Sequence, residues 1–90
     1  GVEASKRAVA VVMAYAAREE KTAQRLLAQI SDLETRALDA LTQGRDDLAT
    51  EAATAIAELE AEHAATQKAV AHYKTEIQRL RGQLVLAEQR

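Results

Sequence analysis

A seven-residue repeat of apolar and small side chains runs through this sequence and limits its possible folds more than any other feature. In the second half, Leu59, Thr66 and Tyr73 follow one another at intervals of seven, and Ile56 and His63 belong to a second series offset by three and four. This spacing places both series on one stripe of an α-helix, at the a and d positions of a coiled coil. The first half carries the same repeat.

We call these stripes the seam, because they are predicted to pack against each other. The seam comprises Val9, Val12, Ala16, Leu26, Ile30 and Leu33 in the first half, and Ile56, Leu59, His63, Tyr73, Ile77 and Leu80 in the second. Proline is absent, and alanine, the best helix former, accounts for 21 of the 90 residues. This composition favours long helices and disfavours a many-stranded fold, which needs turn-forming residues.

The predicted break between the two repeats is the tip, which we define as Gly44, Arg45, Asp46 and Asp47. Gly44 suits the left-handed position after a helix, and Asp46 or Asp47 is expected to cap the second helix and favour its positive end. The helices are predicted over about 2–43 and 47–89, with the turn at about 44–46. Since so short a turn reverses the chain, the fold class is all-α, an antiparallel coiled-coil hairpin.

The register of the two helices follows from a fold point between Gly44 and Arg45. Facing residues then have numbers that sum to about 89, which sets Ile30 against Leu59 and small Ala16 against bulky Tyr73. Each predicted arm is a rod of roughly 65 Å. A single continuous helix remains the alternative, because a glycine inside a helix costs only about 1 kcal/mol.

Polar residues on and beside the seam do not assemble a catalytic site. His63, opposite Leu26, is interpreted as a polar seam residue that helps to fix the register, with a pH-sensitive layer as the alternative. His72 and Glu76 lie one turn apart and are predicted to make a surface contact, because zinc needs more ligands than two. Since a rod offers no concave pocket, no enzymatic activity, cofactor or metal is expected.

Charge is segregated along the predicted hairpin. Residues 27–62, the tip half, hold nine acidic side chains against two basic ones, a net charge of −7, whereas the remaining stem half carries +5. This asymmetry favours staggered packing of rods or the steering of one end towards a charged surface, with a merely solvated surface as the alternative. The overall charge of −2 argues against nucleic-acid binding.

The end of the rod opposite the tip, the stem end, is apolar on every face. Val11, Met13, Val85 and Leu86 cannot all point at one partner helix, so they are predicted to contact a further helix. That helix would come from a second copy or from the rest of a longer protein. The apolar run 8–17 is too short to span a bilayer. Because the sequence opens without methionine, we interpret the chain as a fragment of a longer protein.

Three segments around the tip resemble a known family. The stretches 33–41, 44–49 and 55–60, which read LETRALDAL, GRDDLA and AIAELE, are similar to the central hairpin of the phage shock protein A family, which includes the vesicle-inducing protein of plastids. The ending Leu80-Arg81-x-x-Leu84 is similar too, and the likeness covers essentially the whole chain. Asp46 stands where glutamate is commoner in the family.

The resemblance implies a bacterial stress-response protein that lies in the cytoplasm, peripheral to the inner membrane, and that polymerises on or remodels membranes. It also implies that the hairpin can inhibit an enhancer-binding transcription activator, as some members of the family do. The acidic tip or the outer face of the seam would then dock on a basic partner. The family's N-terminal amphipathic helix has no counterpart here, so membrane contact is expected only through the full-length protein. The alternative is a generic adaptor that dimerises into a four-helix bundle and has no membrane role.

Overall fold

Two long helices make up the computed structural model, which describes residues 1–89. Helix α1 spans Val2–Thr42 and helix α2 spans Asp46–Glu88, and the two pack against each other along a rod of 70 × 14 × 13 Å. The predicted all-α helical hairpin is confirmed, and the chain is not one continuous helix. Each helix bound lies within one residue of the bound expected from the sequence.

Gly44 closes α1 through two backbone hydrogen bonds. Its own N–H donates to the carbonyl of Leu41 at 3.1 Å, and the N–H of Arg45 donates to the carbonyl of Ala40 at 2.7 Å. This pair of bonds is the Schellman motif, and it requires the residue after the helix to be left-handed. Gly44 has φ +74°, a conformation that costs glycine nothing because it lacks a Cβ atom.

The expected capping of α2 by an aspartate is wrong. The N-cap residue is Arg45, with φ −97° and ψ 72°, and no side chain caps this end. Asp46 and Asp47 already belong to the first turn of the helix. The Schellman motif at the end of α1 uses the N–H of Arg45, so Arg45 ends one helix and precedes the next. Helix α2 therefore begins at Asp46, one residue before the start predicted from the sequence. The two carboxylates therefore lie in the first turn and stabilise the positive end of the helix by their charge.

The seam is the only core that the described hairpin has, and it is thin. Its most buried large residue is Leu26, of which 2% is exposed, and Val9, Ala16 and Ile30 are also buried. The other seam residues named from the sequence are half-buried, His63 among them: Val12, Leu33, Ile56, Leu59, His63, Tyr73, Ile77 and Leu80. Two helices alone leave most seam side chains partly open to water at their edges.

Thr66 is a buried polar residue on the seam, and its hydrogen-bonding needs are met within α2. Its Oγ1 donates to the carbonyl oxygen of Glu62 at 2.9 Å, one turn earlier. Residues 1–89 contain no buried side-chain nitrogen or oxygen without a partner. The hydroxyl therefore enters the seam without the desolvation cost of an unpaired polar group.

Candidate functional site

The two sides of the hairpin differ, and contacts between the helices define them. On one side the Nζ of Lys74 lies 3.3 Å from Oε1 of Glu20, and an Nη2 of Arg81 lies 3.7 Å from the sulfur of Met13. We call this the Met13 side. Positions seven residues apart share a side, so it continues along α1 through Leu27.

The opposite side, which we call the Tyr15 side, carries an aromatic pair. The rings of Tyr15 and Tyr73 have centroids 5.9 Å apart and are tilted by 45°. The sequence predicted Ala16 as the partner of Tyr73, and Ala16 is indeed buried, but the long ring of Tyr73 also reaches sideways to Tyr15. Tyr15 is next in sequence to the seam residue Ala16, and this position could have predicted the contact with Tyr73.

The stem end exposes the four large apolar residues that the sequence singled out. Their exposed fractions are 48% for Val11, 44% for Met13, 53% for Val85 and 61% for Leu86. They do not form one patch, because Met13 and Val85 lie on the Met13 side whereas Val11 and Leu86 lie towards the Tyr15 side. Both sides of the stem end therefore present apolar surface to solvent.

The tip is acidic but is also apolar, which the sequence reading missed. Leu38, Leu41 and Leu48 lie within one or two turns of Gly44 and are 65%, 55% and 42% exposed. Leu48 also lines an open groove of about 450 Å³ between the helices, with Leu33 in its wall. These leucines lie outside the seam in the sequence repeat, and that position could have predicted their exposure.

Arg45 and Asp47 form a fork that orders the tip. The Nε and Nη2 atoms of Arg45 each donate to a carboxylate oxygen of Asp47 at 3.2 Å. This pairing, together with the N–H of Leu48, holds the pKa of Asp47 below its ordinary value of 3.8. The carboxylate therefore stays ionised at neutral pH, beside the positive end of α2.

The predicted contact between His72 and Glu76 is replaced by another. Arg79 donates from Nε to Oε2 of Glu76 at 3.0 Å, and its Nη2 donates to the other carboxylate oxygen. The guanidinium lowers the pKa of Glu76 and, in return, the carboxylate raises the pKa of Arg79. A planar guanidinium matches both carboxylate oxygens, so it outcompetes an imidazole one turn away.

Charge remains unbalanced along the rod after these pairs are counted. Of the five ion pairs among residues 1–89, four join side chains two to four residues apart. The pair of Lys74 with Glu20 is the one that crosses between the helices. The tip half keeps its net charge of −7, and the described stem half carries nine basic side chains against five acidic ones. The two ends of the rod are therefore oppositely charged.

No cluster of three or more potential metal-ligating side chains occurs in residues 1–89, and neither α1 nor α2 is apolar over a length that could cross a membrane. Comparisons of the chain with protein families, with curated proteins and with solved structures find no match. The resemblance to the phage shock protein A family thus depends on the sequence segments around the tip.

Proposed function

We propose that this chain is a non-catalytic structural module, a rigid hairpin that self-associates through exposed apolar surface at the stem end. The observation that carries the proposal is the 44–61% exposure of Met13, Val11, Val85 and Leu86 at one end of the rod. Large apolar side chains that are exposed together at one end of a protein mark an interaction site. The remaining helices of a parent protein are the other partner that this surface would accept.

The self-association is tested by sedimentation equilibrium. The chain is expected to form dimers or larger species, and Val11→Glu with Val85→Glu is expected to return it to a monomer, because a buried unpaired charge is costly. Ala28→Glu with Ala61→Glu is the matched control, since both alanines are exposed at mid-rod and the charge change is identical. A monomeric parent chain, or equal loss of association in both double variants, would contradict the proposal.

The setting we propose for this module is a bacterial membrane-stress protein of the phage shock type, in the cytoplasm and peripheral to the inner membrane. The tip segments support this setting, and the long rigid rod suits a protein that assembles at a surface. The full-length gene product is expected to sediment with anionic vesicles and much less with neutral phosphatidylcholine vesicles. Self-association without any vesicle binding would instead favour the adaptor with no membrane role.

A second candidate function, inhibition of an enhancer-binding transcription activator, is favoured by the tip. Acidic residues and exposed leucines lie together there. The acidic residues would attract a basic partner, and the leucines would then pack against it. Asp46→Lys with Asp47→Lys is expected to abolish inhibition of a purified activator's ATPase. Glu58→Lys with Glu62→Lys makes the same charge change away from the tip. Equal inhibition by the tip variant and the parent chain would rule this function out.

A further inference from the structure

The Met13 side exposes apolar side chains along its whole length. Met13, Leu27 and Leu41 recur along α1 on this side and are 44%, 52% and 55% exposed. Leu38 lies three residues before Leu41, and Val85 lies four residues after Arg81, so both join the same surface. The exposed apolar side chains thus extend from the stem end to the tip. A contact limited to the stem end would leave those near the tip uncovered.

Small residues lie between these large ones and would let another helix approach closely. Ala17, one turn after Met13, and Ala57, Ala64 and Ala71 on α2 are all exposed. Helices whose contact residues are small pack at the short end of the usual 8–10 Å spacing. A face on which these alanines separate the larger side chains can accept a second rod of the same length.

Two opposite charges on the Met13 side lie symmetrically about the middle of α2. Glu60 and Lys74 each lie seven residues from Gln67, which is the central residue of Asp46–Glu88. Two rods that pack face to face with opposite directions therefore set Glu60 of each against Lys74 of the other. Lys74 is 64% exposed even in its pair with Glu20, so its ammonium group remains open to a partner. Rods packed in the same direction would instead place the two acidic tips together, which is repulsive.

One large apolar residue of α1, Leu27, fits the same symmetry. Leu27 and Ala17 each lie five residues from the centre of Val2–Thr42, so reversal of a second rod sets a large side chain against a small one. Alternation of large and small residues across an interface keeps the spacing of two helices constant. The Leu27–Ala17 pair and the Glu60–Lys74 pair therefore favour the same alignment.

We infer that two copies of the hairpin pair through their Met13 sides with the rods antiparallel, so that the acidic tip of each lies on the basic stem of the other. This inference rests on the proposed self-association and adds its geometry. Overlap along a rod of 70 × 14 Å covers about 1,000 Å² per protomer, enough for a stable interface. The pairing is two-fold symmetric and therefore closes at a dimer, a four-helix bundle.

Distances between spin labels test the arrangement. A label on Thr42→Cys, at the tip, is expected to lie about 65 Å from its counterpart in an antiparallel dimer, because the tips are a rod length apart. Side-by-side tips would give less than about 30 Å. A label on Lys68→Cys, near mid-rod, is the control, because it lies within about 40 Å of its counterpart in either alignment.

The outcomes separate this inference from the function on which it rests. A dimer with a short tip-to-tip distance would overturn the antiparallel alignment and leave self-association intact. A monomer, with no dipolar coupling from either label, would overturn both.

A charge reversal tests the contact itself. Glu60→Lys is expected to raise the dimer dissociation constant about tenfold at low salt, because it meets Lys74 of the partner twice in each dimer. Glu58→Lys, two residues away and towards the Tyr15 side, makes the same change in net charge and is expected to leave the constant within about twofold. Equal effects of the two variants would show that Glu60 does not lie in the interface.

Discussion

Leu26 shows what a single residue contributes to so thin a core. It is 2% exposed on α1, whereas Leu48 near the tip, a residue of the same size, is 42% exposed. A two-helix rod has no third layer of side chains that could move into the cavity left when a buried leucine is removed. The cost of removing its side chain should therefore be close to that of a rigid cavity.

The substitution Leu26→Ala is expected to lower the free energy of unfolding by about 2–3 kcal/mol. Leu48→Ala serves as the control and should cost less than half as much, since much of its side chain already meets water. Urea denaturation followed by circular dichroism measures both, with each variant at the same protein concentration. Equal losses would mean that Leu26 does not have the special burial described above.

Glu76 provides a pH-dependent contribution to stability. Its folded pKa lies below the ordinary value of 4.5 because Arg79 binds the carboxylate, so the ionised form favours folding. This contribution is complete above the unfolded pKa and is lost as the pH falls through the lowered, folded pKa. Glu76→Gln is therefore expected to lower the Tm slightly at pH 7, and the difference should be smaller at about pH 3.

The control for Glu76 is Glu58→Gln, a change at a residue of α2 that has no ion pair in residues 1–89. It should leave the Tm nearly unchanged at both pH values. A Tm difference for Glu76→Gln that persists unchanged at pH 3 would show that the carboxylate charge is not its source.

At the scale of the helices, the seven-residue repeat predicted most of what the structure shows. It identified which stripe of each helix faces the other, because burial of apolar side chains every 3.5 residues has one geometric solution. The start of α2 was not predictable in the same way, since it depends on how Arg45 closes the preceding helix. The Met13 side was also not predicted, because its character depends on which side chains meet across the two arms.

Two glycines in this chain have opposite roles, and that contrast gives a test of the turn. Gly44 has φ +74°, so Gly44→Ala is expected to destabilise the hairpin by about 1 kcal/mol. Gly82 lies inside α2, and a Cβ atom added there would meet no other atom within 4 Å, so Gly82→Ala should stabilise the helix by about 0.5–1 kcal/mol. Thermal unfolding of both variants checks the signs, and a neutral or stabilising Gly44→Ala would contradict the left-handed turn.

The whole molecule is a rod of 70 × 14 × 13 Å with oppositely charged ends. Opposite charges at the two ends and an apolar side between them would direct copies of the rod into a defined alignment. The rod would then act by length and rigidity, in agreement with a structural module. All of this depends on the chain folding back at Gly44, since a continuous helix would place the two arms end to end.

A distance across the hairpin tests that central claim directly. Spin labels on Ala14→Cys and Thr75→Cys, diluted with unlabelled chain, should be about 20–30 Å apart if the helices are antiparallel. The control pair, Ala14→Cys with Thr35→Cys on α1, should be about 32 Å apart whether or not the chain folds back. A separation of about 90 Å between residues 14 and 75 would mean one continuous helix and would contradict the account.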